Sequence, residues 1–188
     1  MKIFEKWFVI IILLILLVLI GENVRLSMTK SATIQSAGNP FANLAAKPKT
    51  GSFVPDFELP AMDGSKKAVN QFHGKAVLIN FWTTWCVGCQ VEMPLIKSAA
   101  DQHNGELVVL AVNVGETIDE IKPHVLKTDE SFHILLDSEG KVADTFGVFG
   151  YPATFFVDKE GIIQHQQIGQ MTEKMLKENL KTIGIDAW

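Results

Sequence analysis

The longest unbroken apolar run of the chain lies near its start, where Trp7 to Ile20 is fourteen residues without a polar side chain. Lys2 and Lys6 precede it, and Ile3 and Phe4 extend the apolar face upstream. A bilayer-spanning helix needs about 20 residues, a length the run reaches if Lys6 snorkels and the span continues to Val24. After it comes Gly21-Glu22-Asn23-Val24-Arg25, with no small-x-small cleavage site and no cysteine for lipid attachment. The pattern predicts a signal-anchor over residues 7–24, with 1–6 cytoplasmic and the remainder exported; a cleaved signal peptide is the alternative. Residues 25–50 lack periodicity, are rich in Ser, Thr, Ala, Asn and Lys, and read as a flexible stalk.

From Gly51 the pattern becomes that of a folded domain, 51–188. Phe53 to Leu59 alternates as a short strand, Met62-Asp63-Gly64-Ser65 turns, and Lys67 to Val69 returns as the second arm of a hairpin. Ala76 to Trp82 and Leu107 to Val114 are nearly continuous apolar runs, as expected of strands covered on both faces. Between them Val91, Leu95, Ile96 and Ala99 recur at helical spacing, predicting a helix from about Cys86 to Asn104, kinked at Pro94. Further on, the pattern predicts a helix over 117–127 bent at Pro123, a strand over 132–136, and a short helix over 141–146. Strands over 153–157 and 162–168 follow, joined by the turn Asp158-Lys159-Glu160-Gly161. A last amphipathic helix is capped by Thr172 and carries Met175, Leu176, Leu180 and Ile183. This order makes the domain α/β, a mixed sheet with helices on both faces.

Charge is unevenly spread over the 188 residues: the first 50 carry +4 and the rest −8, for a total of −4. An acidic domain on a basic stalk argues against nucleic acid as a partner, and the stalk suits a surface of anionic headgroups. The five histidines show no ligand spacing, so no metal is expected.

The candidate chemistry sits at the end of the first buried strand, in Trp85-Cys86-Val87-Gly88-Cys89-Gln90-Val91-Glu92-Met93-Pro94, which holds both cysteines of the chain. A cysteine in the first turn of a helix meets unpaired N–H groups and the positive end of the macrodipole, which favour a thiolate. Residues three apart are neighbours on a helix, so Cys89 can attack a disulfide made by Cys86. The pair therefore suits thiol–disulfide exchange, with Cys86 as nucleophile and Cys89 as resolving thiol. Structural zinc needs more ligands than this pattern supplies, and two unrelated buried thiols are the plainer alternative. Glu92 falls one turn below Cys89. If buried, it would have a raised pKa and move the Cys89 proton; if solvated, it is an ordinary helix glutamate. Trp85 is a candidate to cover the disulfide or contact clients, and Trp82 a candidate for the core. Phe146, Phe149 and Tyr151 suit either a client groove or packing.

The ordered set Val54-Pro55-Asp56-Phe57, Asn80-Phe81-Trp82, Trp85-Cys86-x-x-Cys89-x-x-Glu92-x-Pro94, Val112-Asn113-Val114-Gly115-Glu116, Tyr151-Pro152-x-Thr154-Phe155 and Gly169-x-Met171-Thr172-Glu173 resembles the membrane-tethered, extracytoplasmic ResA/TlpA/CcmG group of thiol–disulfide oxidoreductases, and within it the ResA-like members. The resemblance implies a thioredoxin-like fold with an N-terminal β-hairpin and a central βα insertion, behind one transmembrane helix. It implies a redox disulfide Cys86–Cys89, proton transfer by Glu92, and a cis Pro152 facing the cysteines, with the Tyr151 backbone pairing with a client. It also implies a reductase of disulfides in exported proteins such as apocytochrome c, re-reduced by a thiol–disulfide electron donor in the cell membrane, and no cofactor. The chain departs from the group where Val87-Gly88 stands for the common x-Pro, a change expected to loosen the first helical turn. A thiol peroxidase is the first alternative, since Thr83-Thr84-Trp85-Cys86 gives T-x-x-C, but peroxidases of this fold use an arginine and the one arginine here is Arg25, in the stalk. A copper-binding assembly chaperone on the same fold is the second; such proteins use a wider cysteine spacing with a partner histidine.

Overall fold

The computed structural model describes residues 47–125 and 128–186. The expected anchor and most of the stalk lie outside the described residues, and among those described no helix is long and apolar enough to cross a membrane.

Among the described residues seven strands form two sheets. The first is a hairpin, β1 (Glu58–Pro60) with β2 (Lys66–Ala68). The second has the order β5-β4-β3-β6-β7, from β3 (Ala76–Trp82), β4 (Leu107–Val114), β5 (Phe132–Asp137), β6 (Ala153–Val157) and β7 (Ile163–Ile168). β3 runs parallel to β4 and β4 to β5, while β6 is antiparallel to both β3 and β7. The helices are α1 (Val87–Gln102), α2 (Ile118–Ile121), α3 (Lys141–Phe146) and α4 (Glu173–Lys181).

Period-two alternation sorts β3 and β4 into two faces. Leu78 and Trp82, with Val109 and Ala111, pack beneath Ile96 and Ala99 of α1 and Leu176 and Leu180 of α4. Val77, Ile79 and Phe81, with Val108, Leu110 and Val112, face Phe146 of α3 and Leu59 of the hairpin. Phe146 stands in a ring cluster with Phe57, Phe81 and Phe155, at centroid separations of 4.9 to 5.8 Å. Asn80 takes its turn on the α1 face, so a polar amide is carried into that core at the end nearest the cysteines.

The architecture is the expected mixed sheet: a β3-α1-β4 half and a β6-β7-α4 half, with β5 and α3 between them along the chain and β5 at the sheet edge beside β4. Some bounds differ for physical reasons. The strand expected from Phe53 shrinks to Glu58–Pro60, because Pro55 has no N–H to donate; Phe53 instead forms an isolated bridge with Ile162 on the far edge. Val69, expected in the return strand, opens a 3₁₀ turn, Val69–Phe72. The helix expected over 117–127 is the single turn α2, closed by a Thr117–Glu120 capping box at its start and passing into a 3₁₀ turn at Lys122–His124 that contains Pro123. α1 continues through Pro94 and stops at Gln102.

Candidate active site

β3 ends at Trp82, the chain turns through Thr83-Thr84-Trp85, and α1 begins at Val87, so Cys86 is the N-cap residue rather than a member of the first turn. Its extended backbone aims the sulfur back over the helix start, where Sγ accepts the Cys89 N–H at 3.1 Å. Cys86 and Cys89 are joined as a disulfide. Cys86 keeps 6 % of its surface open and Cys89 none. An attacking group from outside therefore meets Cys86 first. Once the bond is opened, a sulfur anion at Cys86 gains the Cys89 N–H and the field of a sixteen-residue helix, both of which favour ionisation.

Glu92 is 1 % exposed. Asn80 Nδ2 donates to its Oε1 at 2.8 Å, and the backbone N–H of Met171, just ahead of α4, donates to its Oε2 at 2.8 Å. Burial pushes the carboxyl up from its ordinary 4.5 to about 7, against the pull of these two donors. A group with that value holds and releases a proton readily at neutral pH. The solvated alternative for Glu92 does not hold: the side chain is inside, one helical turn below Cys89.

The Tyr151–Pro152 peptide bond is cis. The Pro152 carbonyl accepts the Gly169 N–H at 2.8 Å, tying this loop to the segment that supplies Met171. Trp85 is 68 % exposed and stands edge-on to the Tyr151 ring, 5.8 Å between centroids. Val87 and Val91, in the first turns of α1, are exposed as well, so the cysteine end carries uncovered apolar side chains. Trp82 is in the core, as expected. Of the aromatic residues open to either reading, Phe146 is packing, whereas Phe149 is 91 % exposed under the Lys47 ammonium.

Gly88 lies against the cis-proline loop: a Cβ there would lie 3.3 Å from Gln170 Cβ and 3.4 Å from Pro152 Cδ, so a larger residue would ask Gln170 to give by a few tenths of an ångström. Two more residues escaped the sequence reading as site residues. The Glu116 carboxylate accepts Thr84 N–H at 2.8 Å, the Thr84 hydroxyl, and Asn113 Nδ2 at 2.6 Å, clamping the turn that presents Trp85. Gln90 Nε2 holds the same turn through the Thr84 carbonyl at 2.6 Å. Glu116 was visible only as part of a resembling motif. Among the described residues no cluster of His, Cys, Asp and Glu is arranged to hold a metal ion.

Comparison with known proteins agrees with this geometry. The sequence profile of the AhpC/TSA family matches residues 50–166. The thioredoxin-like protein YneN of Bacillus subtilis (strain 168) is 35 % identical over 133 residues, 69 % of this chain and 78 % of YneN. The thiol-disulfide oxidoreductase ResA of Bacillus thuringiensis subsp. konkukian (strain 97-27) is 33 % identical over 138 residues, 73 % of this chain and 80 % of ResA. Among solved structures, the pneumococcal exposed lipoprotein thioredoxin Etrx1 of Streptococcus pneumoniae strain TIGR4 superposes with a TM-score of 0.59 at 30 % identity, over 68 % of this chain and 98 % of Etrx1. With its Cys86–Cys89 pair at the head of a helix on a thioredoxin-like sheet, the chain belongs to the AhpC/TSA family and is a thiol–disulfide oxidoreductase homologous to ResA.

Proposed function

We propose that the chain is an extracytoplasmic disulfide reductase held at the cell membrane by residues 7–24, with residues 1–6 inside, 25–50 as a tether and 51–188 as the catalytic domain. Its clients are disulfides of exported proteins, apocytochrome c foremost, and a thiol–disulfide donor in the membrane restores its dithiol. The observation that carries the reductase chemistry is the arrangement of a reachable Cys86 sulfur at the N-cap, a buried Cys89, and a buried Glu92 poised near neutrality.

The Cys86 thiolate attacks one client sulfur; the other leaves as a thiolate and takes a proton from water. The mixed disulfide now occupies Cys86. Cys89 gives its proton to the Glu92 carboxylate and attacks Cys86 Sγ, and the remaining client sulfur leaves as a thiolate. Two electrons have passed to the client, and the protein is left with the Cys86–Cys89 disulfide seen here. Trp85 and Tyr151 offer the client an apolar shelf, and the backbone beside the cis Pro152 offers hydrogen bonds to an extended segment.

Trapping tests this scheme. Cys89→Ser in the full chain should accumulate a mixed disulfide through Cys86 with a disulfide-bonded apocytochrome c haem-site peptide, and Cys86→Ser should accumulate none. Equal trapping by both variants would overturn the assignment of nucleophile, and trapping of other exported proteins but never of that peptide would overturn the choice of client.

A further inference from the structure

Glu92 is buried with its two oxygens gripped by donors from opposite directions, and only one of those donors is a side chain. Asn80 comes from the middle of β3, twelve residues earlier, and is itself fully buried. Its Nδ2 carries two hydrogens. One goes to Glu92 Oε1 at 2.8 Å and the other to Thr154 Oγ1 at 2.9 Å, on β6 two residues beyond the cis proline. Its Oδ1 has no hydrogen-bond partner within the chain, so both protein contacts of the amide are made through its donor. Across β3 the neighbours of Asn80 are Ala111 and Thr154, neither of which bears a charge. Glu92 accepts from Asn80 and the Met171 N–H, Cys89 stands one turn up the same helix, and no charged side chain contributes to the shift of Glu92.

We propose that Asn80, anchored by Thr154, is the positioning residue that sets the pH at which Glu92 exchanges a proton with Cys89. A donor held against a carboxylate favours the ionised form, whereas burial favours the neutral one. The amide offsets part of the burial, so that Glu92 is ionised often enough to accept the Cys89 proton and neutral often enough to return it. An apolar residue at 80 would leave the Met171 N–H alone to oppose burial and would hold the proton on Glu92 to higher pH. A carboxyl at 80 would set acceptor against acceptor and make the two groups share one proton.

This inference rests on the proton-transfer role given to Glu92, and the experiment separates the two. In the oxidised full chain the cysteines do not titrate, so the Glu92 ¹³Cδ resonance reports this carboxyl alone. The unaltered protein should show a midpoint at about 7. Asn80→Leu should raise it by about one unit or more, and the isosteric Asn80→Asp should split the titration into two steps with the upper one raised by about as much. At pH 7 a one-unit rise lowers the ionised fraction from about a half to about a tenth, so Cys89 attack on a preformed mixed disulfide should slow about five-fold. In a Glu92→Gln background Asn80→Leu should not slow it further, a result that a merely structural disturbance would not produce. A midpoint near 4.5 in the unaltered protein would overturn both the Glu92 role and this inference. A midpoint near 7 that Asn80→Asp and Asn80→Leu leave in place would overturn this inference alone.

Discussion

Glu92→Gln carries a stability signature whose size follows from the structure. The folded-state pKa of Glu92 is raised from 4.5 to about 7. Between those values the folded protein holds a proton that the unfolded chain has released, so stability falls as pH rises from 4.5 to about 7 and is level above. A rise of about 2.5 units at about 1.4 kcal/mol each gives a burden of about 3 kcal/mol on the folded state at alkaline pH. Glutamine cannot ionise and escapes this burden, while its own packing difference is the same at every pH. Urea unfolding of the oxidised full chain and its Glu92→Gln variant at pH 4 and pH 8.5 isolates the term. Relative to the unaltered protein, the variant should gain about 3 kcal/mol over that interval, whether it begins more or less stable. A stability difference that stays constant with pH would refute the claim that a buried carboxyl ionises against its surroundings.

Other substitutions separate the roles of the surrounding residues. Trp85→Ala, at an exposed side chain, should change stability by less than about 1 kcal/mol yet raise KM for a protein client with kcat nearly unchanged, as steady-state reduction assays would read. Glu116→Gln sets an amide against the donors of Thr84 and Asn113 and should cost about 2 kcal/mol by urea unfolding, because bonds to a charged acceptor are the stronger ones. Gly147→Ala should cost about 1–2 kcal/mol in the same assay, since Gly147 ends α3 at φ 70°. Its new Cβ would also meet Lys47 Cδ at 2.8 Å.

What was legible in the sequence was set by short-range patterns. The uninterrupted run Ala76–Trp82, the helical spacing after Cys86 and the i, i+3 interval from Cys89 to Glu92 need no distant residue to interpret, and the first buried strand and the cysteine pair stand where they were expected. The sequence could not tell whether Glu92 was inside. That depends on Asn80 and on the Met171 N–H, 79 residues along the chain, closing over it. The closeness of Gly88 to Pro152 and Gln170 could not be read locally either, because those residues arrive from the far half of the domain. Likewise, Glu116 acquires its meaning from Thr84, 32 residues earlier, and Phe146 from three rings scattered between residues 57 and 155. Strand bounds slipped at Pro55 and Val69, where a missing donor and a 3₁₀ turn cut the pattern short.

The ionisation of the Cys86 thiol in the reduced protein bears most directly on the account. Iodoacetamide labelling of the reduced full chain across pH, with the modified residue located by mass spectrometry, should find Cys86 reacting with a midpoint well below the value of about 8.5 for a free cysteine, and Cys89 silent. Two thiols reacting together near that free value, or Cys89 reacting first, would contradict it.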